Sequence, residues 1–233
     1  MTALDHPTAA PADAPTIADQ VDHTFDHGAI SRFNAWFFTA FASYINYIAR
    51  RHKERAFAGL TAGTVLEIGA GTGANLSVLD PGTDLIAVEP SARMHDRLRT
   101  RSAEAGVNLT VLGTGAESIP LPDASVDEVI CSLVLCTVPD QDRALTEIRR
   151  VLRPGGRFRF VEHVAGHRRG PRYALQRAIR RPWGWLFEGR DPTRHTAEAV
   201  ERAGFASVTV ERRRFRRSFF VPVNSAIWGI AVR

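Results

Sequence analysis

Val65-Leu66-Glu67-Ile68-Gly69-Ala70-Gly71-Thr72-Gly73-Ala74-Asn75 decides how this chain is read. Residues suited to a buried strand run into three glycines at alternate positions, and a helix start follows. Glycines at a strand-to-helix turn permit a tight reversal and let a ligand approach the backbone with no Cβ in the way. A glycine loop alone is weak evidence, because nicotinamide-binding domains carry a similar one. Two details narrow the choice: the spacing is GxGxG rather than GxGxxG, and Glu67 stands two residues before the first glycine. A carboxylate there repels a pyrophosphate and attracts an ammonium. The plainer alternative is a tight turn with an exposed acid.

Outward from the loop, Leu85-Ile86-Ala87-Val88-Glu89-Pro90 reads as the next strand. Glu89, sixteen residues after Gly73, falls at that strand's tip, where an acid accepts both hydroxyls of a ribose. Its alternative role is that of a neighbour to a helix N-cap, since Ser91 suits a cap. Candidate strands cover 65–68, 85–88, 109–112, 129–135, 157–161, 207–211 and 226–232. Candidate helices cover 74–79, 92–105, 142–152 and 193–203. Strands separated by helices require crossovers, so the pattern predicts an α/β, doubly wound, mostly parallel sheet with helices on both faces. The last two strands have no helix between them and are expected to form an antiparallel pair at one edge.

Residues 1–20, rich in Ala, Pro and Asp and without apolar periodicity, read as a disordered tail. Over residues 21–60, Phe33, Trp36, Phe37, Phe41, Tyr44, Ile45 and Ile48 recur at helical steps, which predicts a helical lid ahead of a domain covering 61–233. Hydrophobic residues make up 44% of the 233, enough for one sizeable core. The formal charge is +5, with Lys53 the only lysine among the basic residues. No nucleic-acid-binding signature accompanies the arginines, so no nucleic-acid partner is expected. Cys131 and Cys136 lie in one apolar run and form no disulfide framework, which suits a reducing cytoplasm. Neither they nor the histidines have metal-ligand spacing. No apolar stretch reaches membrane-spanning length, and the polar N-terminus does not read as a signal peptide.

Two more segments complete the pattern. Gly113-Thr114-Gly115-Ala116-Glu117-Ser118-Ile119-Pro120-Leu121-Pro122 follows the third strand, and Val151-Leu152-Arg153-Pro154-Gly155-Gly156 leads into the fifth. With these, residues from about 60 to 233 resemble the class I methyltransferases that use S-adenosylmethionine (SAM). The resemblance implies a Rossmann-like seven-stranded sheet and SAM as cofactor. It implies a cofactor site of Glu67, Gly69, Ala70, Gly71, Gly73 and Asn75 in the loop and Glu89 and Pro90 at the second strand's tip. Gly115, Ala116 and Glu117 would flank adenine, and Ser132 and Leu133 complete the set. Many family members carry Asp where Gly115 stands, which shifts the adenine contact to backbone N–H groups or to Glu117.

Cys131-Ser132-Leu133-Val134-Leu135-Cys136-Thr137-Val138, Phe160-Val161-Glu162-His163-Val164, Leu186-Phe187-Glu188-Gly189 and Thr193-Arg194 are similar to the methyltransferase-like alkyl-thiol methyltransferases. The mammalian members have an apolar N-terminal anchor; the N-terminus here is polar, so stable membrane insertion is not expected. The implied acceptor is a small lipophilic thiol. A thiol, with a pKa of about 8.5, is partly thiolate at neutral pH and needs only a modest base. His163, expected at the fifth strand's tip, has the titration range for one, or it holds a loop. His23 and His27 are weaker candidates of the same type, and His195 reads as part of a helix start. Phe25, Phe33, Trp36, Phe37, Trp183, Trp185, Phe187, Phe219 and Phe220 are candidates for an apolar pocket wall, with Trp36 and Phe187 better read as core. Cys131 and Cys136 read as small buried hydrophobes. The basic run from Arg212 to Arg217 reads as a solvated strand end, or as a contact for an anionic headgroup. Competing functions are N-, O- or C-methylation of a lipid headgroup, quinone or natural product, a nicotinamide-dependent oxidoreductase, and a non-catalytic SAM-binding module.

Overall fold

The computed structural model describes residues 32, 36, 40–60, 63–167, 170–186, 191–215 and 224–233. Its elements are α1 (Ala42–Ala56), β1 (Thr64–Ile68), a 3-10 turn (Leu76–Val78), β2 (Asp84–Val88), α2 (Ala92–Ala105), β3 (Asn108–Leu112) and β4 (Val126–Ser132). They continue with α3 (Gln141–Val151), β5 (Leu152–His163), α4 (Pro171–Leu186), α5 (Thr196–Arg202), β6 (Ser207–Arg214) and β7 (Ser225–Val232). The strands form one sheet in the order β3-β2-β1-β4-β5-β7-β6. The order reverses between β1 and β4, so the crevice beyond the C-terminal ends of those strands is where a ligand fits. The glycine loop leaves β1 at that point.

The alternation of side chains along each strand divides the core in two. Val65 faces one layer with Leu85, Ile130 and Val161, together with Ala49 and Ala56 of α1 and Leu98 of α2. Leu66 and Ile68 face the other with Val129, Phe158 and Phe160, together with Leu145 and Ile148 of α3 and Val200 of α5. Buried Ala144, Leu145, Ile148 and Val151 give α3 its apolar stripe, and the Asp140 carboxylate caps it by accepting from the Arg143 N–H at 3.0 Å. On the opposite face, Ala49, Lys53 and Ala56 of α1 are buried, and α1 packs on β5 and β7. A buried ion pair fastens it there. Arg159 donates to both Glu128 oxygens (2.8 and 3.2 Å) and to the carbonyls of Ala56, Ala58 and Gly59 at the end of α1.

The expected doubly wound sheet and its antiparallel edge pair are present. The reversed strand is β7, which inserts between β5 and β6 and runs antiparallel to both. Four local expectations are corrected. The helix expected at 74–79 is only the 3-10 turn, because the seven residues between Gly73 and Pro81 are too few and the position before a proline resists helix. The fourth strand ends at Ser132 rather than 135, since Leu133 turns out of the sheet with φ +61°. The segment from Arg153 to Gly156, expected to lead into the fifth strand, lies within β5 as an irregularity: between the pairs Val126–Leu152 and Glu128–Arg157, one residue of β4 faces four of β5. The last helix begins at Thr196, because Asp191 holds Thr193 in a preceding turn through bonds of 2.8 and 2.6 Å. Helix α4 had no counterpart among the expected helices: Pro182 interrupts it, and only Gln176 is buried.

The tail 1–20, His23, His27, Phe25, Phe33, Phe37, Phe187, Arg216, Arg217, Phe219 and Phe220 lie outside the described residues. Among the described residues, no helix is long and apolar enough to cross a membrane.

Candidate active site

β1 delivers Glu67 to the base of the crevice, where it is 1% exposed. This excludes the alternative of an exposed acid beside a turn. Its Oε1 accepts from Asn75 Nδ2 at 2.7 Å, while Glu67 Oε2 and Asn75 Oδ1 are buried with no hydrogen-bond partner. Burial pushes the Glu67 carboxyl up to about 7; the Asn75 bond and the charge of Lys53 oppose that rise, and Glu89 adds to it. Lys53, on α1, is pushed down to about 8 by burial, against the pull of Glu67. Its ammonium donates to Asn46 Oδ1 at 2.8 Å. A buried acid and a buried base therefore stand together under the loop.

Gly69 donates to the Val88 carbonyl at 2.8 Å, fastening the loop to β2. A Cβ on Gly69 would lie 2.5 Å from Val134 Cγ2, so close packing as well as its φ of +66° requires glycine. Gly71 differs. With φ +56° it also needs glycine, but nothing lies within 4 Å of where its Cβ would be. The space above Gly71 is open, as a ligand-facing backbone requires. Ala70, Gly73 and Asn75 are buried beside it.

Glu89 is buried at the tip of β2 and spans the crevice. Its Oε2 accepts from Gly71 N at 2.7 Å and its Oε1 from Ser91 N at 2.9 Å. Ser91 is the N-cap of α2 but makes no side-chain cap bond, so Glu89 serves that backbone in its place. Glu89 thus serves the N-terminus of α2, the neighbouring role weighed for it, and ties that helix to the glycine loop through its other oxygen. Pro90 follows, half-buried.

Beyond β3, Gly115 is half-buried and Ala116 buried. The Glu117 carboxylate is turned toward α3, where Oε1 accepts from Asp140 N at 3.1 Å. The same carboxylate lies against Gly115, since a Cβ there would sit 2.9 Å from Glu117 Oε2. Ser132 and Leu133, at the end of β4, are half-buried on the adjoining side.

His163 is the last residue of β5, as expected, and is 6% exposed. It pairs with Ala226 of β7 in the sheet register. His195 is the N-cap residue of α5, also as expected. Cys131 and Cys136 are buried and free, and burial, with Glu162 nearby, pushes the Cys131 thiol well up. Two aromatic expectations are corrected: Trp36 is 61% exposed rather than core, and Trp185 is 70% exposed rather than walling a pocket, because α4 turns it outward. Trp183 is half-buried. Arg212 and Arg213 are exposed at the end of β6 and pair with Glu198 and Glu211. No group of His, Cys, Asp and Glu suited to a metal occurs among the described residues.

Sequence reading missed Lys53 and Glu162. The signal for Lys53 was its being the one lysine in an arginine-rich chain, on the helical stripe with Ala49 and Ala56. The crevice fits the cofactor that the resemblance implies. It has orphaned oxygens on Glu67 and Asn75 for an ammonium, open space over Gly71, and the Glu89 carboxylate at the tip of the next strand.

Comparison with known proteins agrees. The family model described as a methyltransferase domain matches residues 66–160. Human thiol S-methyltransferase TMT1A is 36% identical over 173 residues, which cover 73% of this chain and 70% of that protein. A solved SAM-dependent methyltransferase from Thermotoga maritima superposes with a TM-score of 0.61 at 22% identity, covering 86% of this chain and 96% of that one. The Haemonchus contortus phosphoethanolamine N-methyltransferase 2, solved with S-adenosylhomocysteine, gives 0.64 at 16% identity, covering 87% and 58%.

Proposed function

The chain belongs to the SAM-dependent methyltransferases, and from that premise we propose that it methylates the sulfur of a small lipophilic thiol. The observation that carries the acceptor class is the 36% identity to a thiol S-methyltransferase over 70% of that protein's length. SAM supplies an activated methyl group on a sulfonium, open to in-line displacement by an acceptor lone pair. In this proposal the chain's part is binding, orientation and one proton. Glu67 and Asn75 receive the methionine ammonium, with Gly69, Ala70, Gly71 and Gly73 letting the backbone approach. Glu89 and Pro90 hold the ribose; Gly115, Ala116 and Glu117 flank adenine; Ser132 and Leu133 close the remaining side. His163 takes the thiol proton, and residues ahead of α1 close over the site. Fixing acceptor and methyl donor in line supplies most of the rate. A thiol acceptor suits this site, because a thiol partly ionised at neutral pH asks little of a nearly buried imidazole. We assign the protein to the reducing cytoplasm, in keeping with its two free cysteines.

The test is a methyl-transfer screen with labelled SAM against panels of thiols, amines and phenols, with products identified by mass spectrometry. Transfer to apolar thiols in preference to the other classes is expected. Methylation of amines or phenols with thiols left untouched would replace this acceptor with another.

A further inference from the structure

Glu162, the penultimate residue of β5, is completely buried. One of its oxygens, Oε1, accepts from two consecutive backbone amides of the turn after β4, Val134 N at 2.8 Å and Leu135 N at 3.0 Å. The Cys131 thiol also donates to it, at 3.4 Å. The amide before these, Leu133 N, donates to the Val161 carbonyl at 2.8 Å. Three successive amides of the turn are therefore suspended from β5, two of them from a single carboxylate oxygen. Leu133 itself has φ +61°, a conformation that a leucine keeps only where its surroundings over-determine it. The turn in turn touches the glycine loop: both methyls of Val134 occupy the place a Cβ on Gly69 would take, at 2.5 and 2.7 Å.

We propose that Glu162 is a positioning residue for SAM binding, fixing the turn at 133–135 so that Val134 braces Gly69 and the glycine loop. The inference rests on the assignment of that loop and turn to the walls of the SAM site. Glu162 need not touch the ligand. Its effect passes through two backbone bonds, one side chain and a glycine that has no room to yield. Burial, with the thiol of Cys136, pushes its carboxyl up to about 7, against the two amide bonds and His163. A glutamine amide oxygen accepts from the same two N–H groups, so glutamine is the conservative replacement.

The test compares wild type with Glu162→Ala and Glu162→Gln. Binding of S-adenosylhomocysteine is measured by calorimetry, and exchange of the 134 and 135 amides by hydrogen–deuterium exchange on the ligand-free protein. Glu162→Ala is expected to raise Kd about tenfold or more and to speed exchange at both amides. In turnover assays it raises KM for SAM more than it lowers kcat. Glu162→Gln is expected to stay within about threefold of wild type, since its amide oxygen still accepts both bonds. A folded Glu162→Ala with wild-type affinity, or a Glu162→Gln as impaired as the alanine variant, overturns the proposal. If Glu162→Ala does not fold, Val134→Ala removes the same brace at its other end; weakened binding is again expected, and unchanged affinity overturns the proposal. Wild-type protein that fails to bind S-adenosylhomocysteine would instead overturn the site assignment itself.

Discussion

Lowering the pH from 7 to 5.5 is expected to weaken binding of S-adenosylhomocysteine by roughly fifteenfold, through Glu67 alone. Glu67 is buried at the base of the crevice, and its carboxyl is pushed from 4.5 up to about 7. Below that value it is protonated in the ligand-free protein. A ligand ammonium seated beside it favours the carboxylate and returns its pKa toward the ordinary value. Binding therefore expels a proton, and affinity rises with pH through the window from 4.5 to about 7. With those two limits, the carboxylate is about half available at pH 7 and about one part in thirty at pH 5.5, which gives the stated ratio. Calorimetry in two buffers of different ionisation enthalpy reads the same event as proton release, about half a proton at pH 7 and approaching one at pH 5.5. Glu67→Gln cannot titrate and should bind more weakly at pH 7 but with a much flatter pH profile. A flat wild-type profile between pH 5.5 and 7 would refute the ammonium contact. An equally steep profile in Glu67→Gln would assign the proton to another group, such as Glu162, which burial also pushes up to about 7.

Glu89→Ala should weaken SAM binding at least tenfold, about 1.4 kcal/mol, because two hydroxyl acceptors are lost together with the bond to Gly71; unchanged affinity by calorimetry removes Glu89 from the site. His163→Ala should lower kcat roughly 100-fold with SAM affinity little changed, and the loss should shrink as pH passes the acceptor thiol's own pKa. Wild-type turnover from pH 6 to 9 would leave His163 a structural residue. Deleting residues 1–20 should leave turnover nearly intact, whereas deletion through Tyr47 should abolish it; a folded, fully active longer deletion refutes the lid. Arg159→Met takes the nearer cation from buried Glu128, leaving Arg157 at 3.6 Å, and strips donors from three carbonyls at the end of α1, for an expected loss of about 3 kcal/mol in urea unfolding. Pairing it with Glu128→Leu should recover much of that loss, and no recovery would show that the ion pair is not its source.

The mostly parallel sheet, its antiparallel edge pair and the glycine turn after β1 were legible from local signals. Period-two apolar runs separated by helical stripes specify strands and crossovers, and a glycine loop following Glu67 specifies where a ligand meets the backbone. Burial and partnership were not legible, because they depend on what other segments bring. Glu67 became a buried acid with a raised pKa only because the folded chain removes it from water, against the bond from Asn75 and the charge of Lys53. The tip of β4 looked like continuing strand from its apolar run 129–135, yet Glu162, 28 and 27 residues away, draws the amides of Val134 and Leu135 out of the sheet. Glu128 stood outside the strand expected to begin at 129, yet it lies within β4, buried and paired with Arg159 of the neighbouring strand. Hydrophobic periodicity is encoded residue by residue along one segment. The charge state of a carboxylate and the path of a turn are set by hydrogen bonds and desolvation between segments, which exist only once the sheet has brought them together.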